Sequence, residues 1–275
     1  MRYSLLTLLS MVVMVGSLVA RQPTKSPAEL PLDPAHNKLD ALLLQWEQKM
    51  KGVETLYATV KRTRLDYTYK ERAIVDGKPV YVPGKEIFEG TAKYMKPNLA
   101  RIELYRKDKP TVYEKYIFTP TFVYEFNQSS KEIRAHELPP AKPGQMADDN
   151  FLSFLLGMRA AEAKNRYDLR LVKEDQHYHY VEVFPRLDGD KSQFQTAQLA
   201  LVRTTMLPRQ VILLEPNGNQ IIWDIPSVEP GARLNRSEFE APKLPGPDWR
   251  LVRAPKINDN ASKPGVAPRV VRPKS

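Results

Sequence analysis

The hydrophobic pattern changes period along the chain. Between Asn37 and Met50, Leu39, Leu42, Leu43, Trp46 and Met50 stand at i, i+3, i+4, i+7 and i+11, with Lys38, Asp40, Gln45, Glu47, Gln48 and Lys49 opposite. That spacing predicts an amphipathic helix with one buried stripe, ended by Gly52. From Val53 to Pro226 the period drops to two. Phe88, Gly90, Ala92 and Tyr94 share one face of a strand, as do Phe122, Tyr124 and Phe126, Tyr167, Leu169 and Leu171, and Ile221, Trp223 and Ile225. A second helical pattern interrupts the strands. Asp148, Asp149 and Asn150 supply cap-type residues, Phe151, Leu152, Phe154, Leu155 and Met158 supply apolar ones, and Gly157 can end the helix.

The strand segments are Val53–Tyr69, Glu86–Met95, Leu99–Arg106, Val112–Phe118, Phe122–Asn127, Glu132–Leu138, Tyr167–Glu174, His177–Pro185, Thr196–Arg203, Pro208–Leu214 and Gln220–Ile225. They are rich in Tyr, Phe, Val, Ile and Thr. Turn signals such as Lys96-Pro97-Asn98 and Pro216-Asn217-Gly218-Asn219 separate them. Close spacing predicts an antiparallel meander, one face apolar and the other wet. Residues 70–85, with Pro79, Pro83 and Gly84, read as a loop. An apolar sheet face needs a cover, and the two helices are the large apolar elements able to supply it. The fold class is therefore mainly β with an α lid.

The ends of the chain have another character. Arg2, the apolar run Leu5 to Val19 and the small Ala20 form a signal-peptide pattern over residues 1–20. Residues 21–36 form a Pro-rich linker, and residues 37–249 hold the folded domain. Residues 250–275, with four prolines, seven basic residues and one acid, predict a disordered basic tail. The expected product is exported to the periplasm or cell envelope, soluble and monomeric. The absence of cysteine excludes disulfides, thiol chemistry and diacylation, and the net charge of +10 favours anionic partners.

Candidate chemistry is sparse. His177 and His179 share a strand face but lack a third ligand, so an exposed strand face is expected there and no metal. Glu86, Glu89, Glu103, Glu114, Glu125, Glu132 and Glu137 are spread over several strands, and most are expected on the wet face. No nucleophile elbow, zinc-protease helix, phosphate loop or dinucleotide fingerprint is present. Lys61, Arg62 and Arg64 beside Tyr67 and Tyr69 alternate across two faces and predict no nucleic-acid surface. No enzyme activity and no cofactor are expected.

The order of elements resembles the LolA-like superfamily of lipoprotein carriers and outer-membrane lipoprotein-sorting proteins. The resemblance is carried by the Leu39–Met50 helix and the stretches Val53–Val60, Gly90–Arg101 and Phe118–Phe126. The Phe151–Met158 helix, Leu207–Gln210, Asn217–Asn219 and Ser237–Pro242 complete it, over roughly residues 37–245. It implies an incomplete antiparallel barrel of about eleven strands under a helical lid, with a cavity for acyl chains. On that reading Leu39, Leu43, Trp46, Met50, Phe151, Phe154, Leu155 and Met158 form the lid, and Tyr94, Phe122, Tyr124 and Trp223 the cavity wall. The family places an arginine before the Pro-Asn turn to latch the closed lid. Here Lys96 stands there, with three flexible donors in place of a planar fork, which predicts a weaker latch or none.

The implied function is a non-enzymatic carrier or sensor of a lipid or of lipoprotein acyl chains, served by a membrane-associated donor or acceptor protein. The rival reading is a cell-envelope scaffold with a collapsed cavity. It would bind a protein or anionic polymer through its basic surface and tail.

Overall fold

The computed structural model describes residues 31–138 and 159–253. Helix α1, Lys38–Lys51, starts where the sequence predicts. The Asn37 side chain caps it by accepting from the Leu39 and Asp40 N–H groups at 2.9 and 3.3 Å. The strands that follow are β1 Thr55–Val75, β2 Lys78–Met95, β3 Leu99–Arg106, β4 Lys109–Phe118, β5 Phe122–Asn127 and β6 Glu132–Glu137. A short helix α2, Ala160–Arg166, leads into β7 Tyr167–Glu174 and β8 Tyr178–Pro185. Helix α3, Asp188–Lys191, precedes β9 Thr196–Val202, β10 Pro208–Leu214 and β11 Gln220–Pro230, and β12 is Arg250–Arg253.

All these strands join one open sheet in the order β12-β6-β5-β4-β3-β2-β1-β11-β10-β9-β8-β7. Every neighbouring pair is antiparallel except β12 with β6. The eleven expected strands form, and β12 is an addition. It lies inside the stretch that composition gives to the tail.

Directly paired residues share a side, so the ladder fixes the faces across the sheet. Leu169 pairs with Val183, Val183 with Ala197, Leu199 with Val211, Val211 with Trp223, and Trp223 with Arg62. Arg62 pairs with Phe88, Leu56 with Tyr94, Tyr94 with Ala100, Ala100 with Phe118, and Phe118 with Val123. This is the inner face. Leu42, Leu43, Trp46 and Met50 of α1 share one buried cluster with Leu56, Ala58, Val60, Val183, Leu199 and Val211 on it.

The outer face is not uniformly wet, contrary to expectation. Ile117, Tyr124, Phe126, Ile133 and Ala135 form a second buried cluster there with Trp249. After β11 the chain crosses the outer side as a strap. The Gly231 N–H donates to the Thr55 carbonyl at 2.9 Å, and Arg101 donates to the Glu238 carbonyl at 3.1 Å. Lys93 pairs with the Glu238 carboxylate. Phe239 is buried, and Trp249 packs on Phe126 with ring centroids 6.1 Å apart. Strand alternation says which residues share a side but not which side a later segment will cover.

Residues 70–85 are not a loop. Lys70–Val75 pair with Lys78–Pro83 as a continuation of β1 and β2, turning at Asp76-Gly77 with φ of 50° and 75°. Two left-handed residues between antiparallel strands make the tight turn whose twist matches the strands, and Asp-Gly is a favoured pair for it.

Candidate functional site

The inner face beneath α1 is the candidate site. Leu43, Trp46 and Met50 of the predicted lid are buried against it, and Leu39 is half-buried. Tyr94 and Trp223 of the predicted wall lie on this face, Tyr94 buried and Trp223 half-buried. Burial, and secondarily Glu54, pushes the Tyr94 hydroxyl up to about 12. Phe122 and Tyr124 stand apart. Tyr124 pairs with Ile117 and belongs to the outer cluster, and Phe122 packs on the same side. Their own side chains alternate as predicted, but the strap claims them. Phe151, Phe154, Leu155 and Met158 lie outside the described residues.

Helix α1 alone is narrower than the inner face, and α2 shares the cover through Ala160 and Ala163, buried in the same cluster. The apolar row runs from β7 to β3, eight strands in the sheet order, or about 33 Å at the usual strand spacing. A helix with its side chains is about 10–12 Å wide. Consistent with that mismatch, Ile102, Leu171, Leu213, Trp223 and Ile225 pack against the core only partly buried.

Towards β6 the inner face turns polar. Arg62 grips Glu114 through two hydrogen bonds of 2.7 and 2.8 Å, with both side chains about nine-tenths buried. Its guanidinium lies 4.5 Å from the Phe88 ring centroid and 5.6 Å from that of Trp223. His136 Nε2 lies 3.1 Å from Glu125, and Arg134 lies 3.3 Å from Glu132. Pairing parity puts Glu86, Glu114, Glu125 and Glu132 on this side and Glu89, Glu103 and Glu137 on the other. Most of the seven therefore do not decorate the outer face. They are tolerated inside because a base accompanies them. Burial raises the Tyr116 hydroxyl pKa, helped by Glu114 and Glu125 and opposed by Arg62.

Polar contacts pin α1. Asp40 is buried, sits 2.8 Å from Lys164 of α2 and accepts the Asp33 N–H at 2.7 Å. Glu47 accepts the Ala160 N–H at 2.8 Å, at the start of α2, and pairs with Lys51 at 2.7 Å. Burial acts to raise the Glu47 pKa, but the Ala160 bond and Lys51 outweigh it and hold the carboxyl below 4.5. Lys96 donates to the Lys51 carbonyl at the end of α1 and lies 2.8 Å from Glu54. Its ammonium thus meets the negative end of the helix.

An open cleft of about 560 Å³ lies between the start of α1 and edge strand β7, lined by Asn37, Lys38, Leu39, Leu171, Val172, Lys173 and Glu174. Lys38 meets Glu174 at 3.2 Å, and Glu174 lies 2.9 Å from His179. His179 is buried, not exposed as expected, because it shares the covered inner side of β8 with Val181 and Val183. Among the described residues no group of His, Cys, Asp and Glu could hold a metal ion, and no helix is long and apolar enough to cross a membrane.

No protein-family model and no curated protein matches the chain. Solved structures do. An uncharacterized conserved protein from Thermus thermophilus is 12% identical with a TM-score of 0.47, over 79% of this chain and 100% of that one. A putative outer membrane lipoprotein-sorting protein domain from Vibrio parahaemolyticus is 7% identical with a TM-score of 0.39, over 72% and 94%. A LolA superfamily protein from Nitrosomonas europaea is 9% identical with a TM-score of 0.35, over 74% and 97%. These are likenesses of fold at low sequence identity.

Proposed function

We propose that this chain is an exported, non-enzymatic carrier or sensor that holds a lipid, or the acyl chains of a lipoprotein, against the inner face. The observation that carries this reading is the row of half-buried apolar side chains, Ile102, Leu213, Trp223 and Ile225, on a face wider than α1. Each buried methylene contributes about 0.8 kcal/mol, so a chain of about sixteen carbons gains on the order of 10 kcal/mol before displaced contacts are subtracted. The polar end around Arg62 and Glu114 would meet a headgroup. Helix α1 and the Phe151–Met158 stretch would serve as covers, and a membrane-associated protein would deliver or receive the cargo.

The test is uptake of a fluorescent fatty acid by residues 21–275. Trp223→Asp and Phe154→Glu should each abolish uptake while the circular dichroism spectrum keeps its β signature. Uptake by both folded variants at the unmodified level would refute the reading.

A further inference from the structure

The hairpin formed by residues 70–83 stands clear of the sheet, beyond a base where the Tyr67 N–H donates to Asn219 at 2.9 Å. β1 pairs with β11 only from Leu56 to Leu65, and β2 pairs with β3 only from Phe88 to Met95. Beyond those limits, among the described residues, the two strands pair with each other alone, from Lys70↔Pro83 to Val75↔Lys78. Six pairs make an arm about 20 Å long. Its base is set by a bulge between Asp66 and Lys70, where Asp66 Oδ1 accepts the Thr68 and Tyr69 N–H groups at 2.9 and 3.2 Å. A two-stranded ribbon without a packed face is marginally stable in water, so the two sides of this one carry information.

The sides differ in charge. The side continuous with the outer face presents Lys70, Arg72, Ile74, Pro79, Tyr81 and Lys85, three cations and no acid. The other side carries Glu71 and Lys78 among Ala73, Val75, Val80 and Val82. Tyr81 is 76% exposed and Ile74 65%, the two most exposed large apolar side chains among the described residues. Aromatic and branched side chains flanked by long cationic ones suit the boundary of a bilayer. The ring and the Ile side chain enter the headgroup region while Lys and Arg extend to anionic lipid phosphates. A two-stranded ribbon offers a flat surface rather than a groove that would select a peptide, and the charge on this side is single-signed.

We propose that this arm docks the protein on an anionic phospholipid bilayer, outer side down, with Ile74 and Tyr81 entering the interface and Lys70, Arg72 and Lys85 on the phosphates. The docking stands independently of what the inner face binds.

The chain has no cysteine, so Ile74→Cys in the full chain takes a single environment-sensitive dye. Leu187→Cys, an exposed position on the far half of the sheet, is the control. With vesicles of phosphatidylcholine and phosphatidylglycerol, the dye at 74 should shift to the blue and the dye at 187 should not. Neutral phosphatidylcholine vesicles should produce no shift. Lys70→Gln with Arg72→Gln should weaken the transition about fivefold per cation, roughly 25-fold for the pair. The proposal is overturned if the protein sediments with anionic vesicles while the dye at 74 stays unchanged, because another basic segment then makes the contact. It is equally overturned if both dyes shift alike, or if the dye at 74 shifts with protein concentration in the absence of vesicles, which would assign the arm to a second copy.

Discussion

The two halves of the sheet solve the same covering problem on opposite sides. From β7 to β1 the buried apolar side chains face inward and pack with α1 and with Ala160 and Ala163 of α2. From β4 to β6, Ile117, Tyr124, Phe126 and Ile133 are buried on the outer side with Trp249, while the inner side carries ion pairs beside the buried Tyr116 and Phe118. The covers are also held differently. α1 is tied down by polar contacts near its ends and on its α2 side, through Asp40, Glu47 and Lys96. The strap is anchored by Phe239, Trp249 and a ladder of backbone bonds to β6. Both covers also bury apolar anchors, which in α1 are Leu42, Leu43, Trp46 and Met50. The strap adds a backbone ladder to the sheet, whereas a helix held by side chains alone can lift without breaking strand pairing.

The sharpest way to break this contrast is a pair of truncations at the two covers. Trp46→Ala and Trp249→Ala should each cost about 3–5 kcal/mol in denaturant unfolding, as large-to-small core changes do. Only Trp46→Ala should change fatty-acid uptake under conditions where both variants remain folded. Equal effects on uptake would erase the distinction between the halves.

The joint between them is next. Gly90 sits between Val60 and Leu104, and a β-carbon there would lie 1.8 Å from the Glu103 carbonyl oxygen. β2 and β3 therefore approach more closely than any side chain allows. Gly90→Ala should cost about 3 kcal/mol, the upper end for overpacking, read from the shift in urea midpoint. A loss under about 1 kcal/mol, the lower end of that range, would show that the two halves adjust freely about this joint.

The polar ties of α1 predict a pH dependence. The Glu47 carboxyl is held below 4.5 in the folded protein. A lowered folded pKa means its stabilisation is complete above the unfolded value and disappears as pH falls through the folded one. Glu47→Gln should cost about 1.5–3 kcal/mol at neutral pH, the range of a hydrogen bond to a charged group. Relative to wild type, that difference should fade in acid below the folded pKa. A pH-independent difference between the two unfolding curves would sink the assignment.

The smallest effect concerns the strap's last strand. Ending the chain after residue 253 should leave thermal unfolding unchanged. Ending it after residue 249 removes four parallel pairs and the Arg250–Glu132 ion pair. That should cost about 1 kcal/mol, the scale of an exposed edge contact. Identical unfolding of the two truncations would show that β12 contributes nothing.

Much of this architecture is written in local pattern. The α1 stripe and the alternation in β2, β7 and β11 predict which residues share a side, because burial selects one side of each element. The side itself is not local. Phe122, Tyr124 and Phe126 alternate as cleanly as Phe88 and Tyr94, yet they face away from α1. The deciding segment, Trp249 with β12, is more than a hundred residues downstream. Arg250–Arg253 is short and Arg-rich, and it becomes a strand only because β6 offers it an edge. The arm was legible through Asp76-Gly77, but Pro79, Pro83 and Gly84 read more loudly as loop. His179 reads as part of an exposed strand face, but it shares its side with Val181 and Val183, and that side is the covered one. The ion pairs on the inner face join Arg62 to Glu114 across three strand boundaries, a distance that local reading does not reach.

The lipid site proposed on the inner face has one direct test, native mass spectrometry with lipid extraction on the protein purified after expression of the full chain. The account predicts a stoichiometric acyl lipid or lipopeptide that is released by organic solvent and absent from Trp223→Asp. A protein that emerges empty and also fails to take up a fluorescent fatty acid would contradict it. The fold would then serve as a scaffold with a collapsed cavity that binds a protein or anionic polymer through its basic surface and tail.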